Sequence, residues 1–230
     1  MKTLCLTCAA LLWAYCTVAQ CNDYYVISNG SAWSYESFDA KGKSVGKNEQ
    51  KVTAYEPTPN GYKATLRSIM YSDKGKKLME ADLEVRCENG TFIMDMRRFI
   101  PQEQQKMFES YELKVESDNL EIPSRLAAGQ TLKNGSVTLT AVGSPIPMKI
   151  TVTITDRRVE GQESVTTPAG TFTCWKISSK SSTQMQMGMN MNMSFSSVEW
   201  ITEKTGLVRS ESYDRNGRLS AYTVLVSRQQ

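Results

Sequence analysis

Apolar and polar residues alternate along most of this chain with a period of two. Between Met148 and Thr155, Ile150, Val152 and Ile154 hold one parity while Thr151, Thr153 and Thr155 hold the other. Successive side chains of a strand point to opposite faces, so this segment predicts a half-buried antiparallel strand. Ala81, Leu83 and Val85 alternate in the same way with Glu80, Asp82 and Glu84. Those carboxylates read as a solvated strand face, since no second acidic cluster at calcium-loop spacing accompanies them. The strictest alternation is Met185, Met187, Met189, Met191 and Met193, set among Gln, Gly and Asn. It predicts one strand with a face made entirely of thioethers. Methionine is flexible and polarizable, so such a face suits a packed core, an adaptable apolar surface or a soft metal ion.

Turn chemistry punctuates the pattern. Predicted strands run from Ala32 to Phe38, Gln50 to Glu56, Tyr62 to Tyr71, Leu78 to Arg86 and Thr91 to Met96. Others follow at Tyr111 to Glu116, Ser136 to Ala141, Met148 to Thr155, Glu163 to Thr167 and Thr171 to Ser179. The methionine strand continues into Val198 to Ile201, and Leu207 to Tyr213 and Leu219 to Ser227 close the series. A short helix is predicted over Pro101 to Phe108, where proline suits a first turn and Gln102 to Met107 are good helix formers. The connection from Ile122 to Gly129 has room for another helical turn. The whole reads as mainly β, a single large antiparallel meander with one or two short helices.

Three turns echo one another. Phe38-Asp39-Ala40-Lys41-Gly42-Lys43, Tyr71-Ser72-Asp73-Lys74-Gly75-Lys76 and Tyr213-Asp214-Arg215-Asn216-Gly217-Arg218 share an aromatic, an aspartate and a glycine followed by a basic residue. Aspartate opens a turn and glycine takes a positive φ, so the echo is a recurring hairpin device. A solenoid repeat would keep a fixed period, and this spacing is irregular. Four Asn-x-Ser/Thr sequons begin at Asn29, Asn89, Asn134 and Asn192, but three are Asn-Gly, itself a strong hairpin dipeptide.

The N-terminus predicts export. Lys2 precedes a mostly apolar run from Leu4 to Tyr15, too short to span a bilayer, and Thr17-Val18-Ala19 fits a small-residue cleavage site. Residues 1–19 are therefore expected to be a signal peptide and residues 20–230 a single β-rich domain. Gln20 stands before Cys21 where a lipid-attachment site needs a small residue, so the expected product is a periplasmic or extracellular protein without a lipid anchor. Cys21, Cys87 and Cys174 remain in the mature chain, and an oxidising compartment allows one bridge. Cys21 with Cys87 is the preferred pair, because Cys174 sits inside a predicted strand; three reduced, packed thiols are the alternative.

Composition narrows the chemistry. The chain has no histidine and no Cys-x-x-Cys, which excludes the usual zinc sites, Ser-His-Asp triads and Cys-His dyads. Without Lys2, 26 basic residues face 24 acidic ones and they are interspersed, with no stripe along the chain that would suggest a nucleic-acid partner or a strongly anionic membrane partner. No segment after the leader has the length of a membrane helix.

The start Cys21-Asn22-Asp23-Tyr24-Tyr25, the segment from Val165 to Ile177 with Pro168-Ala169-Gly170-Thr171-Phe172-Thr173-Cys174, and the ending Gly206-Leu207-Val208-Arg209-Ser210-Glu211-Ser212-Tyr213 resemble the TapB-like group of exported Gram-negative proteins. That group belongs to a domain family of unknown function. The resemblance implies an exported protein built on one curved antiparallel sheet, similar to the half-barrels of periplasmic lipoprotein carriers. It supplies no catalytic residues.

The expected function is non-enzymatic binding in the bacterial envelope, with a lipid or other hydrophobic molecule held on a concave sheet lined by Met185, Met187, Met189, Met191 and Met193. No cofactor and no metal centre are expected. An envelope interaction protein with methionines as core is the alternative, and soft-metal binding through the methionine strand is a third reading.

Overall fold

The computed structural model describes residues 21–25, 27–100, 108 and 111–229. The predicted signal peptide lies outside the described residues, as does the helix expected over 101–108 except for Phe108. Among the described residues, thirteen strands form one antiparallel sheet: β1 (Ala32–Asp39), β2 (Ser44–Thr58), β3 (Gly61–Ser72), β4 (Lys77–Glu88), β5 (Thr91–Met94), β6 (Glu112–Asp118), β7 (Leu120–Pro123), β8 (Gly135–Val142), β9 (Met148–Thr167), β10 (Gly170–Met187), β11 (Met189–Thr202), β12 (Gly206–Tyr213) and β13 (Leu219–Gln229). Their spatial order is β6-β8-β9-β10-β11-β12-β13-β1-β2-β3-β4-β5-β7.

The sheet's two edges, β6 and β7, are consecutive in sequence and separated by Asn119 alone. The chain thus steps directly from one edge to the other, which curls the sheet into a nearly closed barrel. Asn119 holds the step, its Oδ1 accepting hydrogen bonds from the Met96 backbone N–H at 3.2 Å and the Ser117 hydroxyl at 3.1 Å. Gly135 is needed beside it. A Cβ there would stand 2.7 Å from Leu120 Cδ2 and 2.8 Å from Met96 Sδ, so any larger residue would force those two side chains to shift.

Strand polarity sorts the connections into two ends. The β1–β2, β3–β4, β8–β9, β10–β11 and β12–β13 turns share one end. The opposite end is plugged by the first described residues. Asn22 is buried there, its amide donating to the carbonyls of Ile122 (2.9 Å) and Gly90 (3.3 Å) while its Oδ1 accepts from the Tyr24 and Tyr25 backbone. Tyr25 stacks on Phe92 at 4.1 Å, and Trp33 Nε1 donates to the Thr205 carbonyl at 3.0 Å. Cys21 and Cys87 form a disulfide that staples the plug to β4, and Cys174 is a buried free thiol. The inner face carries the main core, including Phe92, Phe108, Ile122, Ile150, Ile177 and Leu225.

Four expectations change. β9 is one strand of 20 residues where two were expected, because Asp156 (φ 52°) and register shifts opposite β10 absorb the polar interruption as bulges. The strand expected to reach Met96 ends at Met94, and Met96–Phe99 form a 3-10 turn capped by the Asp95 side chain. The helical turn anticipated between Ile122 and Gly129 is absent, since Leu120–Pro123 pair with β5 instead. The methionine strand is two strands, described below.

Candidate functional site

The five methionines do not lie on one strand. Gly188 (φ 78°) closes a hairpin in which Met187 pairs with Met189, Met185 with Met191 and Thr183 with Met193. One residue between paired neighbours demands a positive φ, which glycine takes without steric penalty. Directly paired residues share a sheet face, so all five thioethers still point the same way. That face is the inner one, because Met185 and Met187 pair with Ile150 and Met148 of β9 and pack on the main core. Met148, Met187 and Met189 therefore stand side by side across three strands.

The hairpin is half core and half surface. β12 first meets β11 at Ser196, so Met189–Phe195 have β10 alone as a strand neighbour among the described residues. Met189 is 71% exposed, and Met191, Met193 and Phe195 are exposed beside it. Across β9 and β8, the same inner face reaches Leu113 and Val115 on the edge strand β6, also exposed. A five-strand apolar wall thus has a buried middle, with Leu139 and Ile150, and uncovered flanks.

On the other side of the barrel a cavity of about 680 Å³ is lined by residues of β2, β3 and β4, by Asp95 and by residues 97–100. Its apolar lining includes Met70, Met79, Ala81, Leu83, Phe99 and Ile100, with Asn48, Gln50 and Ser68 supplying amides and a hydroxyl. Charged residues line it as well, Asp82 and Glu84 from β4 and Asp95, Arg97 and Arg98 from the turn; Arg97 pairs with Asp95, and the Arg98 guanidinium lies 5.5 Å from the Phe99 ring centre. Arg97 holds the Asp95 carboxyl below its ordinary value through hydrogen bonds and charge, against the opposing effect of burial. Sequence reasoning missed this cavity. Met70 and Met79 are cross-strand partners flanking the Ser72–Lys76 turn, and their parity matches Leu66 and Leu83, which is the signal that would have found them.

Glu80 and Asp82 project outward, where Asp82 pairs with Arg67 and Glu80 with Lys77, as expected of a solvated face. No group of three or more His, Cys, Asp or Glu side chains with metal-binding geometry occurs among the described residues. Cys174 packs on the outer face with Val165, Trp200 and Val208, and burial pushes its thiol up to about 11, so it is a poor nucleophile. Trp200 is covered there by Lys176 and Arg209, whose charged groups lie 5.4 and 5.9 Å from its ring centre. Arg157, buried inside, donates to the carbonyls of Glu121 and Lys133.

No helix among the described residues is long and apolar enough to cross a membrane. No curated protein matches the chain. Two solved structures share the fold. A Bacteroides fragilis protein assigned as exported, with a YmcC-like fold, is 21% identical at a TM-score of 0.71, over 91% of this chain and all of that one. A Parabacteroides distasonis protein assigned as a lipoprotein is 25% identical at a TM-score of 0.70, over 88% of this chain and 96% of that one. The sequence profile of the DUF3108-like family matches residues 28–225, and the chain belongs to that family.

Proposed function

We propose that this is a non-enzymatic binding protein of the bacterial envelope that holds a lipid or other hydrophobic molecule at the open end of its barrel. The carrying observation is an inner apolar surface that, among the described residues, is exposed toward the end bearing the β1–β2, β3–β4 and β10–β11 turns and is plugged at the other. Methionines line both walls: Met185, Met187, Met189, Met191 and Met193 on one side, and Met70 and Met79 around the 680 Å³ cavity on the other. That volume is in the range of small-molecule sites, and flexible thioethers adapt to ligands of differing shape. Exported or lipoprotein relatives with this fold support an envelope location.

Displacement of a fluorescent fatty-acid probe tests the reading. Ala81→Trp, which fills the cavity, and the triple change of Met187, Met189 and Met191 to Gln should each weaken probe binding. The same three changed to Leu should preserve it, because Leu and Met are close in volume. Folded Trp and Gln variants that bind the probe like the parent would refute the reading. Loss of binding in the Leu variant would favour thioether chemistry and a soft metal ion.

A further inference from the structure

Most of the exposed large hydrophobic side chains among the described residues sit toward the open end, while Val115 and Phe195 lie mid-strand and Tyr55 lies toward the plugged end. Leu78 is 61% exposed beside the β3–β4 turn, Val45 and Ile146 are exposed at the β1–β2 and β8–β9 turns, and Met189 heads the β10–β11 hairpin. The three echoed hairpins open at this same end. Each is built alike: the side-chain oxygen of Asp39, Ser72 or Asp214 accepts two backbone N–H groups of its own turn, to Lys41 and Lys43, Lys74 and Lys76, or Asn216 and Arg218. Ser72, and not Asp73, holds the aspartate position in the middle copy.

This construction presents basic side chains outward at the rim. Lys41 and Lys43, then Lys74, Lys76 and Lys77, then Arg215 and Arg218 stand against Asp39, Asp73, Asp214 and Glu80, the last paired with Lys77. The excess of three positive charges in and beside these three turns compares with a net charge of +2 for the chain without its predicted leader. The remainder of the molecule is therefore close to neutral. Exposed apolar tips interleaved with lysine and arginine match an anionic bilayer, in which the charges meet headgroups and the apolar tips enter the interface.

We infer that the open rim is a membrane-docking surface that seats the barrel mouth on anionic lipid. The inference deepens the binding reading, giving its ligand a route from the bilayer, but its observations are the rim's own.

Vesicle flotation with purified protein tests it. Vesicles of phosphatidylcholine with phosphatidylglycerol should float the protein, and pure phosphatidylcholine vesicles should float far less. Binding should fall as salt is raised. The triple reversal Lys43→Glu, Lys76→Glu and Arg215→Glu should weaken partitioning about tenfold or more. A control reversal of Lys51, Lys63 and Arg125, away from the rim, should change it little. Circular dichroism and fatty-acid probe affinity should be unchanged in the rim variant, which separates loss of docking from loss of the ligand site. Leu78→Gln with Met189→Gln should remove the part of the binding that survives high salt. Equal flotation on neutral and anionic vesicles, or equal losses from rim and control reversals, would overturn the inference. So would self-association through the rim, seen by sedimentation velocity, with no vesicle binding.

Discussion

Met187 and Met189 are direct cross-strand partners with a single residue between them. Everything about the methionine face depends on that pairing, because it keeps the parity of the stripe intact while the chain reverses. Gly188 has open space around it, so its requirement is conformational and not steric crowding. Gly188→Ala should destabilise the hairpin by about 1–2 kcal/mol through the left-handed backbone alone. Hydrogen exchange should show faster opening of Met185–Met193, with the β1–β4 amides unaffected.

The Cys21–Cys87 bridge closes a loop with a sequence separation of 66. In the chain-entropy model a loop of that length is worth about 4 kcal/mol. Cys87→Ser should lower the urea midpoint accordingly, and dithiothreitol should lower the parent's midpoint without affecting the variant's.

Alkali should unfold the protein sharply. Burial raises the phenol of Tyr25, with a smaller contribution from the charge of Glu199, and burial likewise raises Tyr35 and Tyr62. In the unfolded chain these groups lose their protons near pH 10, while in the folded chain they hold them to higher pH. Stability is therefore fully present below about pH 10 and falls as pH rises from there toward the folded values. Absorbance at 295 nm should show a delayed class of tyrosines that ionises together with the loss of β circular dichroism.

Trp200 on the outer face is almost completely covered by neighbours on its own sheet, with its indole N–H donating to Glu163. Trp200→Ala should lower stability by about 3–5 kcal/mol and expose the Cys174 thiol to slow alkylation. Unchanged thiol reactivity would show that Val165 and Val208 suffice as cover.

The strands and their faces were legible in the sequence because alternation reports a local property of the backbone. Ile150, Val152 and Ile154 all face inward as the pattern predicts. The methionine hairpin was not legible as a turn, since Gly188 falls on the polar parity and looks like a member of that face. Bulges misled the reading of β9, where Asp156 resembles a turn residue but the strand continues through it. The seam at Asn119 and the cavity depend on residues far apart in the chain, and no local pattern encodes that pairing. The start Cys21-Asn22-Asp23-Tyr24-Tyr25, noticed as a motif, acquires its physical reason in the plug: Asn22 satisfies two carbonyls and two amides, and Tyr25 stacks on Phe92.

The central claim is that the open barrel holds a hydrophobic molecule, and native mass spectrometry after incubation with total envelope lipid tests it most directly. The account predicts a discrete adduct of lipid mass, bound one to one, that organic extraction removes and that the Ala81→Trp variant fails to acquire. A protein that remains at its bare mass under the same conditions, or an adduct retained in full by the filled-cavity variant and by the Gln variant of Met187, Met189 and Met191, would contradict it.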